Sequence, residues 1–200
     1  TPIVDHRTMG VFLYSLSMLE LNYDFDEEDF LQLQMYFASK DEMQIKQRKK
    51  EKYKIMGLSF LCGLLLFFDE GYRLLSYFFL GSSVFFFAIY PWWSVWFYKR
   101  MYRKHISESS RADFPYNTKL LFGNDVIELE TKKGHRHFSV NDMDAIIETG
   151  YYFFITMSYE VTIIIPKHRI NNVEEVRTHL LRYNEYSHVS FVEDLNWKWR

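Results

Sequence analysis

Residues 74–98 read LLSYFFLGSSVFFFAIYPWWSVWFY, twenty-five positions without a single charge. A helix that crosses the roughly 30 Å hydrocarbon layer of a bilayer needs about 20 such residues. A helix lying on the surface of a soluble domain is not apolar on every face over this length. The stretch therefore predicts a transmembrane helix, and the rest of the chain is arranged around it. Upstream, residues 55–68 (IMGLSFLCGLLLFF) form a second, shorter apolar run, and only Asp69, Glu70, Gly71, Tyr72 and Arg73 separate the two. A span over 53–72 results if Tyr53 and Lys54 enter the interface, with the lysine snorkelling, and the helix continues to Tyr72. The pair then forms a hairpin with spans at 53–72 and 74–98.

The charge distribution orients this hairpin. The net charge is -2, but residues 1–45 carry nine acids against Arg7 and Lys40, and 46–54 carry six bases against Glu51. Residues 99–105 carry Lys99, Arg100, Arg103 and Lys104 with no acid, and 106–200 hold eleven bases and fourteen acids. Short basic flanks stay in the cytoplasm, so both termini are expected inside and residues 69–73 on the far side. Lys54, Tyr90, Trp92, Trp93, Trp96, Lys99 and Arg100 are the expected interface anchors, because amphipathic rings and long basic side chains favour the headgroup layer. Pro91 lacks an N–H and is expected to kink the second span. Gly57, Ser59 and Gly63 on one helix, with Gly81, Ser82 and Ser83 on the other, allow close approach. The short first span also invites self-association into a homo-oligomer.

The only cysteine, Cys62, lies within an apolar run, so no intramolecular disulfide forms, as suits a reducing compartment. Thr1 to Gly10 lacks the basic-then-apolar pattern of a cleavable signal, leaving the first apolar helix to act as its own insertion signal.

The polar parts divide into an N-terminal segment, 1–45, and a domain with a tail, 106–200. Residues 19–25 (LELNYDF) alternate as a half-buried strand. Asp26 can cap a helix beginning at Glu27, whose early acids suit the positive end of its dipole. Beyond the hairpin, residues 125–131 and 135–140 flank Lys132, Lys133 and Gly134, a β-hairpin signal. Three more strands are expected at 145–148, 151–157 and 161–166. A helix over 173–181 then buries Val173, Val176, Leu180 and Leu181. Successive β-hairpins closed by one helix give an α+β domain with an antiparallel sheet.

The order of these elements carries a resemblance. A strand and helix, a basic block, a two-helix hairpin, and then I-I-E-T-x-x-Y-F-F-I followed by I-I-I-P-K resemble the YcxB-like family of bacterial two-pass membrane proteins. Here those segments are 146–149, 152–155 and 163–167, and the likeness runs from about Leu19 to Leu181. It implies a bacterial inner membrane protein with a pleckstrin-homology-like cytoplasmic domain, a bent antiparallel sheet with a C-terminal helix. It carries over no catalytic residues. Many relatives have a tryptophan in the strand before the I-I-E-T segment, where this chain has Val140.

Candidate chemistry is sparse. There is no G-x-S-x-G, P-loop, G-x-G-x-x-G, H-E-x-x-H or zinc spacing. The chain is expected to be no enzyme and to need no cofactor or metal, and nothing points to nucleic acid. His135 and His137 share a strand face, without a third ligand at a telling spacing. Lys132, Lys133, His135 and Arg136 form a basic turn that could touch anionic headgroups or a protein partner, as could Trp197 and Trp199 in the tail. Two functions remain. One is an inner-membrane binding protein whose hairpin or domain recognises a protein, with an immunity protein neutralising a membrane-active toxin as its sharpest form. The other is a lipid-sensing or membrane-organising scaffold at the inner leaflet.

Overall fold

The computed structural model describes residues 18–110, 114–132, 134–158, 161–187 and 189–199. Lys133, Arg200 and the first seventeen residues of the N-terminal segment lie outside them. Over the described residues the chain is α+β, with two four-stranded sheets and a long apolar helix.

Strand β1 (Leu19–Phe25) buries alternate side chains as its sequence predicts. Asp26 then caps helix α1 (Glu27–Lys40) in a reciprocal box. Its carboxylate accepts from the Asp29 N–H and the Asp29 carboxylate accepts from the Asp26 N–H, both at 3.0 Å. Leu33 and Tyr36 of α1 enter the main core, while Leu31 and Met35 pack with Ile106. Asp41 ends α1 and caps α2 (Glu42–Phe67). A single 3-10 turn (Glu70–Tyr72) leads into α3 (Arg73–Ser110), which continues through Pro91.

Strand β2 (Tyr116–Phe122) returns to pair antiparallel with β1 along all seven residues, from Leu19 opposite Phe122 to Phe25 opposite Tyr116. The helical hairpin is thus an insertion between two neighbouring strands. β3 (Val126–Thr131) and β4 (Gly134–Ser139) complete this sheet in the order β1-β2-β3-β4. Gly134 has φ 132°, a conformation glycine adopts without the clash of a Cβ. The second sheet runs β7-β6-β5-β8, from β5 (Met143–Thr149), β6 (Tyr152–Met157), β7 (Thr162–Pro166) and β8 (Ser190–Asp194). Helix α4 (Val173–Ser187) precedes β8, which lies parallel to β5.

One core joins the two sheets, through Leu120, Phe122 and Ile127 on one side and Ile146, Phe153, Ile155 and Ile165 on the other. Tyr23 donates from β1 to the Ile164 carbonyl at 2.7 Å, a buried bond between the sheets. α4 contributes Val176, Leu180 and Tyr183.

Several expectations change. α2 stops at Phe67 rather than reaching Tyr72, because Asp69 starts a new 3-10 turn by accepting from the Gly71 N–H. The helix gains its length at the other end, through the basic block back to Glu42. Strands β2 and β8 have no counterpart in the sequence reading, and the parallel β5–β8 pair departs from a purely antiparallel domain. On α4, His179 and Tyr183 are buried where Val173 and Leu181 are only half-buried.

Candidate functional site

The hairpin of α2 and α3 packs as a soluble helix pair turned inside out. Ser76, Ser83 and Ser94 are buried on α3, and Gly63 on α2. Leu58, Leu65, Leu74, Phe78 and Phe85 are exposed, Leu74 by 87%. In water such a surface would be costly, at roughly 25 cal/mol for each Å² of apolar area left wet. The seam is polar and tight instead. Ser76 donates to the Gly63 carbonyl at 2.7 Å, Ser83 to the Met56 carbonyl at 3.3 Å and Ser59 to the Phe79 carbonyl at 3.1 Å. These contacts place α2 and α3 antiparallel. A Cβ added at Gly63 would come within 2.8 Å of the Leu80 side chain and 3.1 Å of its backbone nitrogen, so this crossing requires glycine. Among the described residues one helix, α3, is long and apolar enough to cross a membrane.

The interface anchors predicted from sequence collect at the end of the hairpin nearest the domain. Tyr90 is half-buried and donates to the Arg48 carbonyl at 3.1 Å. Trp92 is 74% exposed. Trp93 stacks on Phe97 with centroids 5.0 Å apart, and Arg100 lies over Trp96 at 5.4 Å. Lys54 is exposed and free to reach outward. Lys99 has a second role, because its ammonium lies 2.6 Å from Glu28 of α1, and Arg103 holds the other oxygen of that carboxylate. Burial pushes the Glu28 carboxyl up, but its bonds to Lys99 and Arg103 outweigh this and leave it below the usual carboxylate range. Half of the second basic block therefore fastens the domain to the hairpin.

The C-terminal tail closes the same corner. Trp197 donates from Nε1 to Ser39 at 2.8 Å and packs edge-on against Tyr36. Trp199 lies beneath the Arg48 guanidinium, 4.3 Å from ring centre to Cζ, and Tyr98 flanks both, with its ring centre 5.7 Å from the Trp199 ring and 5.7 Å from the guanidinium. Arg48 also donates from Nη2 to the Ala38 carbonyl at 3.1 Å.

The basic turn does not form one surface. His135 and His137 stand on one face of β4 while Arg136, opposite Leu129, stands on the other. Lys132 lines a groove together with Asp24, Asp26 and Glu27. Its charge thus has acids for company. Cross-strand pairing brings Glu128 to the two histidines, 3.5 Å from His135 Nε2 and 3.5 Å from His137 Nδ1. This is a third donor that could complete a divalent-cation set on an exposed face, invisible to a search for spacing along the chain.

Two ionic clusters organise the domain. Asp26 and Asp29 share Arg169, and Tyr152 donates to Asp29 at 3.2 Å. Burial raises the Asp29 carboxyl; at Asp26 the hydrogen bond from the Asp29 N–H and the Arg169 guanidinium overcome burial and lower it. In the second cluster, Glu148 is 3% exposed and receives Lys167 at 2.7 Å and Arg177 at 2.9 Å. Glu148 belongs to the I-I-E-T segment and Lys167 to the I-I-I-P-K segment, so the two stretches quoted from the sequence meet in an ion pair. Thr149 closes the turn beside it, donating to the Tyr152 carbonyl at 3.1 Å and accepting from the Tyr152 N–H at 3.0 Å.

Compared with known proteins, the chain matches no family model, no curated protein and no solved structure.

Proposed function

We propose that the chain is a two-pass inner-membrane protein of a bacterium that holds a pleckstrin-homology-like domain at the cytoplasmic face and acts by binding rather than catalysis. The inverted packing of the hairpin carries this reading: Gly63, Ser76 and Ser83 face inward while Leu58, Leu65, Leu74, Phe78 and Phe85 face out. α2 is the shorter apolar partner, and the basic residues that extend it can snorkel, with Lys52 already lying over the Phe87 and Tyr90 rings. The order of the domain agrees with the fold proposed. β1 to β4 make one sheet, β5 to β7 most of the other, and a C-terminal helix packs into the core between them. This also agrees with the resemblance to YcxB-like proteins. The function proposed is recognition of a protein partner, with neutralisation of a membrane-active toxin as its sharpest form.

Topology is tested by placing a single cysteine at position 71 (Cys62→Ser, Gly71→Cys) in intact cells. Labelling by a membrane-impermeant reagent from outside is expected, and labelling only after the cells are opened overturns the orientation. Partner recognition is tested by expressing the chain alongside any membrane-active toxin encoded next to it. Survival of the cells is expected, and undiminished killing rejects the immunity reading. One observation favours the second reading, lipid recognition at the inner leaflet: a basic and aromatic groove at the corner where tail and hairpin meet.

A further inference from the structure

The groove at the domain end of the hairpin, about 680 Å³, lies between α2 and α3, with Ser39 of α1 and Trp199 of the tail at its edge. Arg48, Lys49 and Lys52 give it three bases, and among the described residues no acid lines it. Its other wall is Tyr90, Pro91 and Trp92 on α3, in the aromatic belt at the headgroup level.

Two donors here have no acceptor among the described residues. The Arg48 Nη1 and the Trp199 Nε1 are both buried and unpaired, although Arg48 stacks on Trp199 and satisfies its Nη2 on Ala38. A buried donor left unpaired is costly, more so on a charged group. The Arg48 guanidinium and the two lysines line the same groove, and their charges complement an anion with several acceptor oxygens. The exposed indole of Trp92 and the ring of Pro91 add an apolar wall, which a free anion would not use.

We infer that this groove is a binding site for the phosphate headgroup of an anionic phospholipid of the inner leaflet, with the acyl chains running along α3 past Trp92. The site rests on the membrane reading above. It lies apart from the Lys132 turn, whose acidic neighbours disfavour an anion. Bound lipid would join tail, α1 and hairpin through one headgroup, so lipid composition would set how firmly the domain is held.

The test uses the full chain in mixed micelles of phosphatidylglycerol and phosphatidylcholine, with retained lipid counted by native mass spectrometry. Preferential retention of phosphatidylglycerol is expected. Lys52→Gln and Lys49→Gln, both outside the core, should each weaken it by about fivefold, the effect of one basic charge near an anionic headgroup. Arg48→Gln should weaken it further. Lys46→Gln and Lys50→Gln, which remove the same charges from α2 outside the groove, should leave retention unchanged. Equal retention of the two lipids, or equal losses from groove and control variants, overturns the site. Binding of inorganic phosphate without lipid, with the same dependence on Lys49 and Lys52, overturns the lipid assignment and leaves a phosphate site. Alkaline carbonate extraction separates the two levels of the argument. A chain that stays in the membrane without selectivity refutes the groove alone, whereas a chain released from the membrane refutes the anchoring too.

Discussion

Glu148 shows what a single residue contributes. A carboxylate at 3% exposure is expensive to desolvate, and Lys167 and Arg177 offset that cost by direct bonds. Glu148→Ala would leave the Lys167 ammonium, over the Phe153 ring at 4.4 Å, without its counter-charge. The expected loss is about 3 kcal/mol, the scale for breaking one side of a buried pair, read as a lower unfolding midpoint of the detergent-solubilised protein. His179 acts in the opposite sense. Burial is the main reason its imidazole is harder to protonate than usual; Arg182 adds to this and Glu175 opposes it. Its Nε2 has no partner among the described residues, and Phe122 and Tyr183 enclose the ring. The folded state thus binds its proton less readily than the unfolded state. The contribution to stability is complete above about pH 6.5 and is lost as pH falls through the depressed folded value. Thermal midpoints at about pH 7.5 and about pH 5.5 should fall further apart for the wild type than for His179→Leu.

At the scale of elements, the hairpin depends on how closely its two helices approach. Gly63 permits the approach, and Ser76 and Ser83 use it to reach carbonyls of α2. Gly63→Leu must push against Leu80 and is expected to cost about 1–3 kcal/mol through overpacking. The change can be read without unfolding the domain. A disulfide between cysteines placed at positions 56 and 83, in a Cys62→Ser background, should form readily with Gly63 and poorly with the leucine. Unchanged crosslinking would mean that the helices have another way to pack. The sequence marked Gly63, Ser59 and Ser83 as allowing close approach, because small residues are legible as such. The register that pairs them was not legible, since it depends on where α2 ends and the 3-10 turn begins.

At the scale of the molecule, the hairpin leaves and re-enters the domain through adjacent strands. β1 and β2 are paired along seven residues, so both ends of the insertion are held in one sheet. Glu28 adds a second attachment, to Lys99 and Arg103. Because the Glu28 carboxyl is lowered on folding, this attachment is complete above the ordinary glutamate range. It weakens as pH falls through the folded value. Glu28→Gln should raise hydrogen exchange in α1 while changing overall stability by less than about 1 kcal/mol, as suits a partly exposed pair. Adding Lys99→Gln to that variant should produce little further change, since both substitutions remove the same contact. Full additivity would show that Lys99 acts elsewhere, in its expected role at the membrane interface.

The sequence by itself determined the apolar hairpin, the alternation of β1, the cap at Asp26, the turn at Gly134 and the helix over α4. Each follows from local rules: hydropathy over a length, a period of two, a capping side chain, a residue that tolerates positive φ. Only the tertiary structure decided that β1 joins β2 across the hairpin, that β8 lies parallel to β5, and that Trp199 covers Arg48. It also split the basic turn between two faces and placed Glu128 beside His135 and His137. These are pairings between residues far apart or on facing strands. They arise from which surfaces bury each other best, and no window along the chain contains that comparison.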